Sequence, residues 1–231
     1  LNTLLHLPSA PTWRLPPRPE TSHVRWITPD PLKAGRLFVA IEAGALVRSQ
    51  DGGETWEDRQ PDGPIDTHTL IMHRLAPNHL FSAAGDGGFL GPGKGFVESQ
   101  DGGESWYRSG EGMQHHYLWS VAADPADPST LVVSAAAGPQ EAHNFLQAGS
   151  TLYRRSGFDP WQQVSAGLPP SQGTLTSVLA TQEAEPGVFY AANNHGVFRS
   201  GDTGNTWESL PIPWPEGTKL GWARALVVQE S

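Results

Sequence analysis

An octapeptide written three times, a tryptophan period of roughly 50 residues and the lack of helical spacing among apolar residues predict an all-β chain, a β-propeller of four-stranded antiparallel blades. The octapeptide reads SQDGGETW at Ser49 to Trp56, SQDGGESW at Ser99 to Trp106 and SGDTGNTW at Ser200 to Trp207. Trp161, in RRSGFDPW, falls between the second and third copies and restores the period. The 21 prolines and 26 glycines would interrupt any helix of three turns.

Each period repeats one order of elements. A β-rich segment (HVRWI, HTLIM, YLWSVAA, LTSVLA) is followed by a Pro, Asp or Asn turn and a second strand (RLFVAI, LFSAA, LVVSAAA, VFYAA). A glycine-containing loop, a third strand (ALVRS, GFVES, TLYRRS, GVFRS), the box and a short fourth strand complete the unit. The units span 22–59, 66–109, 116–164 and 173–210. The termini read as parts of a fifth blade in the same single domain. LLHLPSAPTWRL, in 1–16, is expected to supply a third and fourth strand, and LGWARALVV, in 220–231, a first, so that closure removes exposed sheet edges.

Each position of the octapeptide has a folding task. Ser49, Ser99 and Ser200 open the turn, while Asp51, Asp101 and Asp202 can accept hydrogen bonds from backbone N–H groups just downstream. Gly53, Gly103 and Gly204 can take positive φ without steric cost. Trp56, Trp106 and Trp207 begin the next strand as large plugs, each burying up to about 250 Å² where blades meet. These segments resemble Asp-boxes, the bacterial-neuraminidase repeats of sialidases, sortilin-type receptor domains, xyloglucan-active glycosidases and photosystem II assembly factors. The resemblance implies a propeller whose boxes lie on a rim remote from the functional site, and it does not imply an activity. The RRSGFDPW segment departs from the pattern, since Asp159 lies two residues before Trp161 and the second glycine is missing; a different turn is expected there. The acidic cluster Asp51, Glu54, Glu57 and Asp58 lacks the alternating ligands and the bidentate twelfth-position Glu of a calcium loop, and reads as capping plus solvated charge.

Composition narrows the partners. With 15 basic against 24 acidic residues, and only Arg154 and Arg155 adjacent, no phosphate-tracking stripe exists, so nucleic acid is not expected. There is no cysteine, which removes disulfides and thiolate chemistry and leaves the compartment, cytoplasmic or exported, open. No apolar run has the roughly 20 residues of a bilayer span, so a soluble monomer is expected. The start at Leu1 without Met fits a piece of a longer product.

With this strand order the boxes gather at one end of each blade, and the first-strand starts and second-to-third loops at the other. That other end collects His23, Arg25, Asp66, His68, His115, His116, Tyr117, Trp119 and Arg224 from strand starts, and Glu42, Asp86, Glu141, His143, Asn194 and His195 from loops. Three readings stand side by side. Polar groups near strand starts satisfy backbone; or the face holds a small polar ligand, a glycan or a protein loop without turnover; or it houses catalysis or a histidine-carboxylate metal site. No cofactor is required, and a divalent metal would need at least three of His23, His68, His116, His143 and His195 to converge.

The sialidase resemblance implies an arginine triad, a tyrosine nucleophile with a glutamate, and an aspartate acid. Trp13-Arg14-Leu15-Pro16 is similar to the family's Arg-Ile-Pro motif, but Arg14 follows SAPTW, a degenerate box, and so falls on an outer strand. Of Tyr107, Tyr117, Tyr153 and Tyr190, only Tyr117 starts a first strand. A hydrolase would therefore use Arg25, Arg224, Tyr117 and a carboxylate such as Asp66 or Glu42. GFLGPGKG, Gly88 to Gly95, has P-loop glycine spacing but ends in Gly95 where Ser or Thr is needed and leads into a strand. GPQEAHNFLQAGS is the longest second-to-third loop and a natural place for binding residues. A protein scaffold would instead expose an apolar patch around Trp214, Trp222 or Phe145. The favoured reading is a non-catalytic ligand-binding propeller, with the hydrolase and the assembly scaffold as alternatives.

Overall fold

A computed structural model describes residues 2–15 and 21–229. Pro16 of the Arg14 motif and the last two residues of the C-terminal segment lie outside the described residues. The strands are β1 (Val24–Pro29), β2 (Leu37–Ile41), β3 (Ala45–Ser49), β4 (Thr67–His73), β5 (Ala76–Ala84), β6 (Phe96–Ser99), β7 (Tyr107–Arg108), β8 (Tyr117–Asp124), β9 (Asp127–Ala136), β10 (Thr151–Arg155), β11 (Gln162–Val164), β12 (Val178–Ala180), β13 (Phe189–Asn193), β14 (Gly196–Ser200) and β15 (Glu208–Ser209). A short helix, α1 (Pro139–His143), sits between β9 and β10.

These strands form antiparallel blades in sequence order, β1-β2-β3, β4-β5-β6-β7, β8-β9-β10-β11 and β12-β13-β14-β15. The first blade has three strands, and its fourth is reduced to a bridge between Arg48 and Glu57. The chain divides into two compact units, Leu1–Ser109 and Gly110–Ser231, each holding two blades. All-β architecture and blade order agree with the strand reading.

The octapeptide closes on itself. In the first copy the Ser49 hydroxyl donates to Asp51 Oδ1 at 2.8 Å and accepts from Gly53 N at 2.8 Å, while Asp51 Oδ1 accepts from Thr55 N at 2.9 Å. The second and third copies repeat this with Ser99, Asp101, Gly103 and Ser105, then with Ser200, Asp202, Gly204 and Thr206. Gly53, Gly103 and Gly204 have φ of 94°, 89° and 86°, a region L-residues with a Cβ avoid. The segment around Trp161 forms a different turn, with Asp159 N donating to Ser156 O at 3.3 Å.

The donated hydrogen bonds hold the Asp51 and Asp101 carboxyls down to about 2 from an ordinary 3.8, led in each by the hydroxyl of Thr55 or Ser105. A carboxyl lowered on folding contributes stability that is full above its unfolded pKa and is lost as pH falls through its folded one. Asp101→Ala should therefore flatten the loss of stability between about pH 4 and pH 2, read by denaturant unfolding across that range. An unchanged acid limb would place the acid-labile groups elsewhere.

Blades within a unit interlock through the box tryptophans. Trp106 packs with Phe38, Ala40 and Leu46 of the first blade and Leu70, Leu80 and Val97 of its own. Trp207 fills the matching place among Val132, Leu152, Leu179, Phe189 and Phe198. Arg48 of β3 donates to Gly102 O at 2.9 Å in the next box, and Arg154 of β10 to Thr203 O at 2.7 Å in the box after it. Each guanidinium thereby satisfies a turn carbonyl of the following blade.

The termini depart from the expectation. In place of a third and fourth strand, the N-terminal segment forms 3-10 helices at Asn2–His6 and Ala10–Thr12, because Pro8 and Pro11 supply no N–H to a ladder. Trp13, 4% exposed, is buried with Leu4, Val39, Ile41, Ala45 and Val47, and its Nε1 donates to Ser9 Oγ at 2.8 Å. Arg14 therefore follows a helical turn, with its N–H on Ala43 O at 3.3 Å, and stands on no outer strand. The segment 220–229 carries no assigned strand.

Candidate functional site

At the loop end of the first unit, backbone needs govern the ionisable groups. The β2–β3 turn and the residues leading into β4 are joined by Gly44 N to Ile65 O at 3.0 Å and by Ala43 N to Asp66 Oδ1 at 2.8 Å. Asp86, at the start of the β5–β6 connection and wholly buried, accepts from Asp66 N at 2.7 Å and from Ile65 N. His68 lies 3.4 Å from Asp66 and is 1% exposed, so its ring has no route to solvent. His23 Nε2 and Glu42 Oε2 are hydrogen-bonded nearer the surface, a contact tied also by Glu42 N to His23 O at 3.1 Å.

The two aspartates end on opposite sides of the ordinary carboxyl range. Burial works to raise Asp66, but the His68 charge and hydrogen bond, the Ala43 N–H and the Arg25 charge outweigh it and hold the carboxyl low. Burial does raise Asp86, because two N–H donors do not offset full desolvation and the neighbouring Asp66 charge. Asp66 is the ionised partner of this pair and Asp86 the reluctant one.

In the second unit the same stitching is done without charge. Asn194 replaces the aspartate, its Oδ1 accepting from Leu175 N at 2.8 Å and its Nδ2 donating to Gly173 O at 2.9 Å. His195 turns to the same Gly173 O, with Nε2 at 3.2 Å. His115 meets the Tyr153 hydroxyl at 3.0 Å, and burial, then the His116 charge, lowers its pKa. Glu141 lies on α1, where its carbonyl accepts from Gly149 N at 3.0 Å.

The other candidates of this unit meet in an aromatic nest. The Tyr117 hydroxyl is 3.1 Å from His143 Nε2, and the His143 ring lies 4.4 Å from Trp119 and 4.2 Å from Trp222. Trp119 and Trp222 are 4.9 Å apart, and the Arg224 guanidinium sits 4.0 Å above Trp222. Tyr117 and Trp119 are buried, while His143 and Trp222 are partly exposed and Arg224 is exposed. The loop that carries His143 continues into Phe145, 57% exposed, and Leu146, 94% exposed, and the Asn144 side chain braces its turn by accepting Leu146 N at 3.0 Å.

The sequence reads Trp222 as part of a first strand or of an apolar surface patch, whereas its ring lies in this nest; its aromatic partners lie far back along the chain, which leaves no local signal. Trp214 is exposed. Among the described residues no three His, Cys, Asp or Glu are placed to hold a metal ion. Of the five histidines from which a metal site would draw, His23 and His68 belong to the first unit and His116, His143 and His195 to the second. Tyr117, Arg224 and the carboxylates Asp66 and Glu42 are likewise drawn from different units. No helix of the described residues is long and apolar enough to cross a membrane.

No family model and no curated protein matches this sequence. Among solved structures it resembles the GH74 xyloglucanase from Xanthomonas campestris, with a TM-score of 0.61 and 16% identity over 80% of this chain and 29% of that one. It also resembles YCF48 bound to D1 peptide, with a TM-score of 0.50 and 17% identity over 82% of this chain and 53% of that one. An auxiliary nutrient binding protein from Bacteroides thetaiotaomicron matches with a TM-score of 0.54 and 10% identity over 80% of this chain and 40% of that one. The chain spans less than a third of the GH74 enzyme and about half of the YCF48 chain. At these identities the likeness establishes one thing, that the fold is a β-propeller.

Proposed function

We propose that this chain is a non-catalytic binding propeller of the Asp-box type, which takes a small polar ligand, a glycan or a protein loop at the end opposite its boxes. The observation that carries the reading is the aromatic nest of Tyr117, Trp119, His143 and Trp222, with Arg224 above it and the exposed Phe145 and Leu146 on the same loop as His143. Aromatic and arginine side chains of this kind are favoured anchors of recognition surfaces. The carboxylates at the loop ends support it from the other side, since Asp66 and Asp86 are engaged in holding backbone N–H groups. A nutrient-binding protein and a peptide-bound protein of the same fold agree with it.

A second reading, a glycoside hydrolase, draws on the opposed shifts of Asp66 and Asp86, an arrangement that separates an acid from a base. Thermal unfolding with EDTA, divalent metals, a sugar panel including sialic acid, and peptides separates the two. A ligand bound only by the folded chain at about 100 times its Kd adds roughly 2.7 kcal/mol. The binding reading expects a midpoint shift with one of these ligands, lost in His143→Ala and without product release. Turnover of a glycoside, abolished by Asp86→Asn, would establish the hydrolase in its place.

A further inference from the structure

The second unit holds a cleft of about 360 Å³ between its two blades, where β10 and β11 face the approach to β12. That volume is within the span of small-molecule sites, about 300 to 1,000 Å³. Its floor is formed by Ser150, Leu152, Thr174, Ser177 and Asn193, all buried, and its rim by Gln163, Ser165, Pro170 and Ser171, all exposed. It is separate from the nest of Tyr117, Trp119, His143 and Trp222, none of which lines it.

Among the described residues, no charged side chain and no histidine lines this cleft. The sequence shows the same exclusion independently: from Pro160 to Gln182 there is no Asp, Glu, Lys, Arg or His, in a chain that is 17% charged. An ion entering here would lose water without gaining a counter-charge, which disfavours charged ligands.

The floor is already braced. The Ser150 hydroxyl donates to Thr174 O at 2.9 Å, the Thr174 hydroxyl to Pro170 O at 2.6 Å, and Asn193 Nδ2 to Ser177 Oγ at 3.2 Å, while Asn193 Oδ1 accepts His195 N at 2.8 Å. At the rim Gln163 Nε2 donates to Thr151 Oγ1 at 3.2 Å. A hydroxyl that accepts one bond still has a hydrogen to give, so Ser177 and Thr151 retain donors and Gln163 retains its amide oxygen. Leu168, Pro169 and Pro170 add an apolar strip to the same lining, and its prolines lose little freedom when covered.

A cleft that combines neutral donors and acceptors with an apolar strip suits a ring with polar edges and a C–H face. We propose that this cleft binds one small uncharged polyhydroxylated ring, a neutral pyranose or cyclitol, with its C–H face on Leu168 to Pro170 and its hydroxyls toward Ser177, Thr151 and Gln163. The site does not depend on the binding surface assigned to the nest.

Calorimetric and saturation-transfer titrations of the full chain test it, using D-glucose, D-xylose and myo-inositol, with glucuronate and glucosamine as charged counterparts. At least one neutral probe is expected to bind with Kd of about 1 mM or tighter, and both charged relatives more weakly. Glucose or xylose against inositol identifies which ring the cleft takes. Ser171→Trp adds bulk at an exposed rim position, so the fold, checked by circular dichroism and melting point, should persist while affinity drops at least about tenfold. Trp222→Ala should leave this binding unchanged, and its loss there would move the site to the nest. Absence of binding by every neutral probe up to about 20 mM, equal binding of glucuronate, or full binding by a folded Ser171→Trp would each overturn the assignment.

Discussion

Gly167→Ala is expected to cost the second unit more than about 4 kcal/mol, the range reserved for backbone clashes and broken cores. The connection from β11 toward β12 crosses the start of the outer strand of the following blade, where Trp207 N donates to Ala166 O at 3.0 Å. A Cβ on Gly167 would stand 1.7 Å from Trp207 O and 2.7 Å from its carbonyl carbon, at a φ of 79°. Backbone cannot swing aside as a flexible side chain does, so the strand carrying the third box would have to separate from its neighbour. Gly112 has the same placement one blade earlier: a Cβ there would stand 2.3 Å from Trp161 O, and Trp161 N donates to Glu111 O at 2.8 Å.

Gly173 supplies the control. Its φ is 82°, yet no atom lies within 4 Å of where a Cβ would stand. Gly173→Ala should therefore carry only the left-handed strain, about 1 to 2 kcal/mol. Denaturant unfolding of both variants decides the matter, and similar losses would mean that dihedral strain, and not the crossing of the two backbones, accounts for Gly167.

The contrast between the box and these crossings explains what could be read from sequence. The hydrogen bonds that shape the octapeptide turn run within its eight letters, Ser49 to Gly53 and Asp51 to Thr55, so that part of its chemistry is written where its geometry is. Gly112 and Gly167 answer to the backbones of Trp161 and Trp207, in segments contributed later by the chain, and nothing beside them announces this. The N-terminal segment resembles strands by its apolar letters, but its prolines and the seat for Trp13 against Val39 and Val47 favour helical turns.

Polar residues in the loops at this end of the blades fall into two populations that the sequence does not separate. Asp86 and Asn194 show the first: both accept a backbone N–H ahead of a first strand, one with a carboxylate and one with an amide, so their shared task is structural and charge is incidental to it. His143 shows the second, held among aromatic rings at a partly exposed position, as the proposed binding surface requires. Residue type alone does not distinguish a carboxylate that caps backbone from one that moves protons, because both need burial and donors. Burial plus named partners does.

The nest itself should separate into a core half and a docked half. Trp119, on β8 and 6% exposed, is expected to cost about 3 to 5 kcal/mol when cut to alanine, as large buried aromatics do. Trp222 touches the same rings, but it belongs to a segment with no assigned strand and is partly exposed. Its truncation should cost no more than about 2 kcal/mol, while releasing the segment from the nest. Trypsin reports that release directly, since cleavage after Arg224 follows the open population of the segment when reclosing is fast. Trp222→Ala should thus accelerate cleavage at Arg224 with little change in unfolding midpoint, and Trp119→Ala should lower the midpoint strongly. Equal midpoints for the two variants would make the segment an integral part of the core. The difference bears on function, because a docked Trp222 with Arg224 above it can be displaced or engaged by an arriving partner, whereas a core tryptophan cannot.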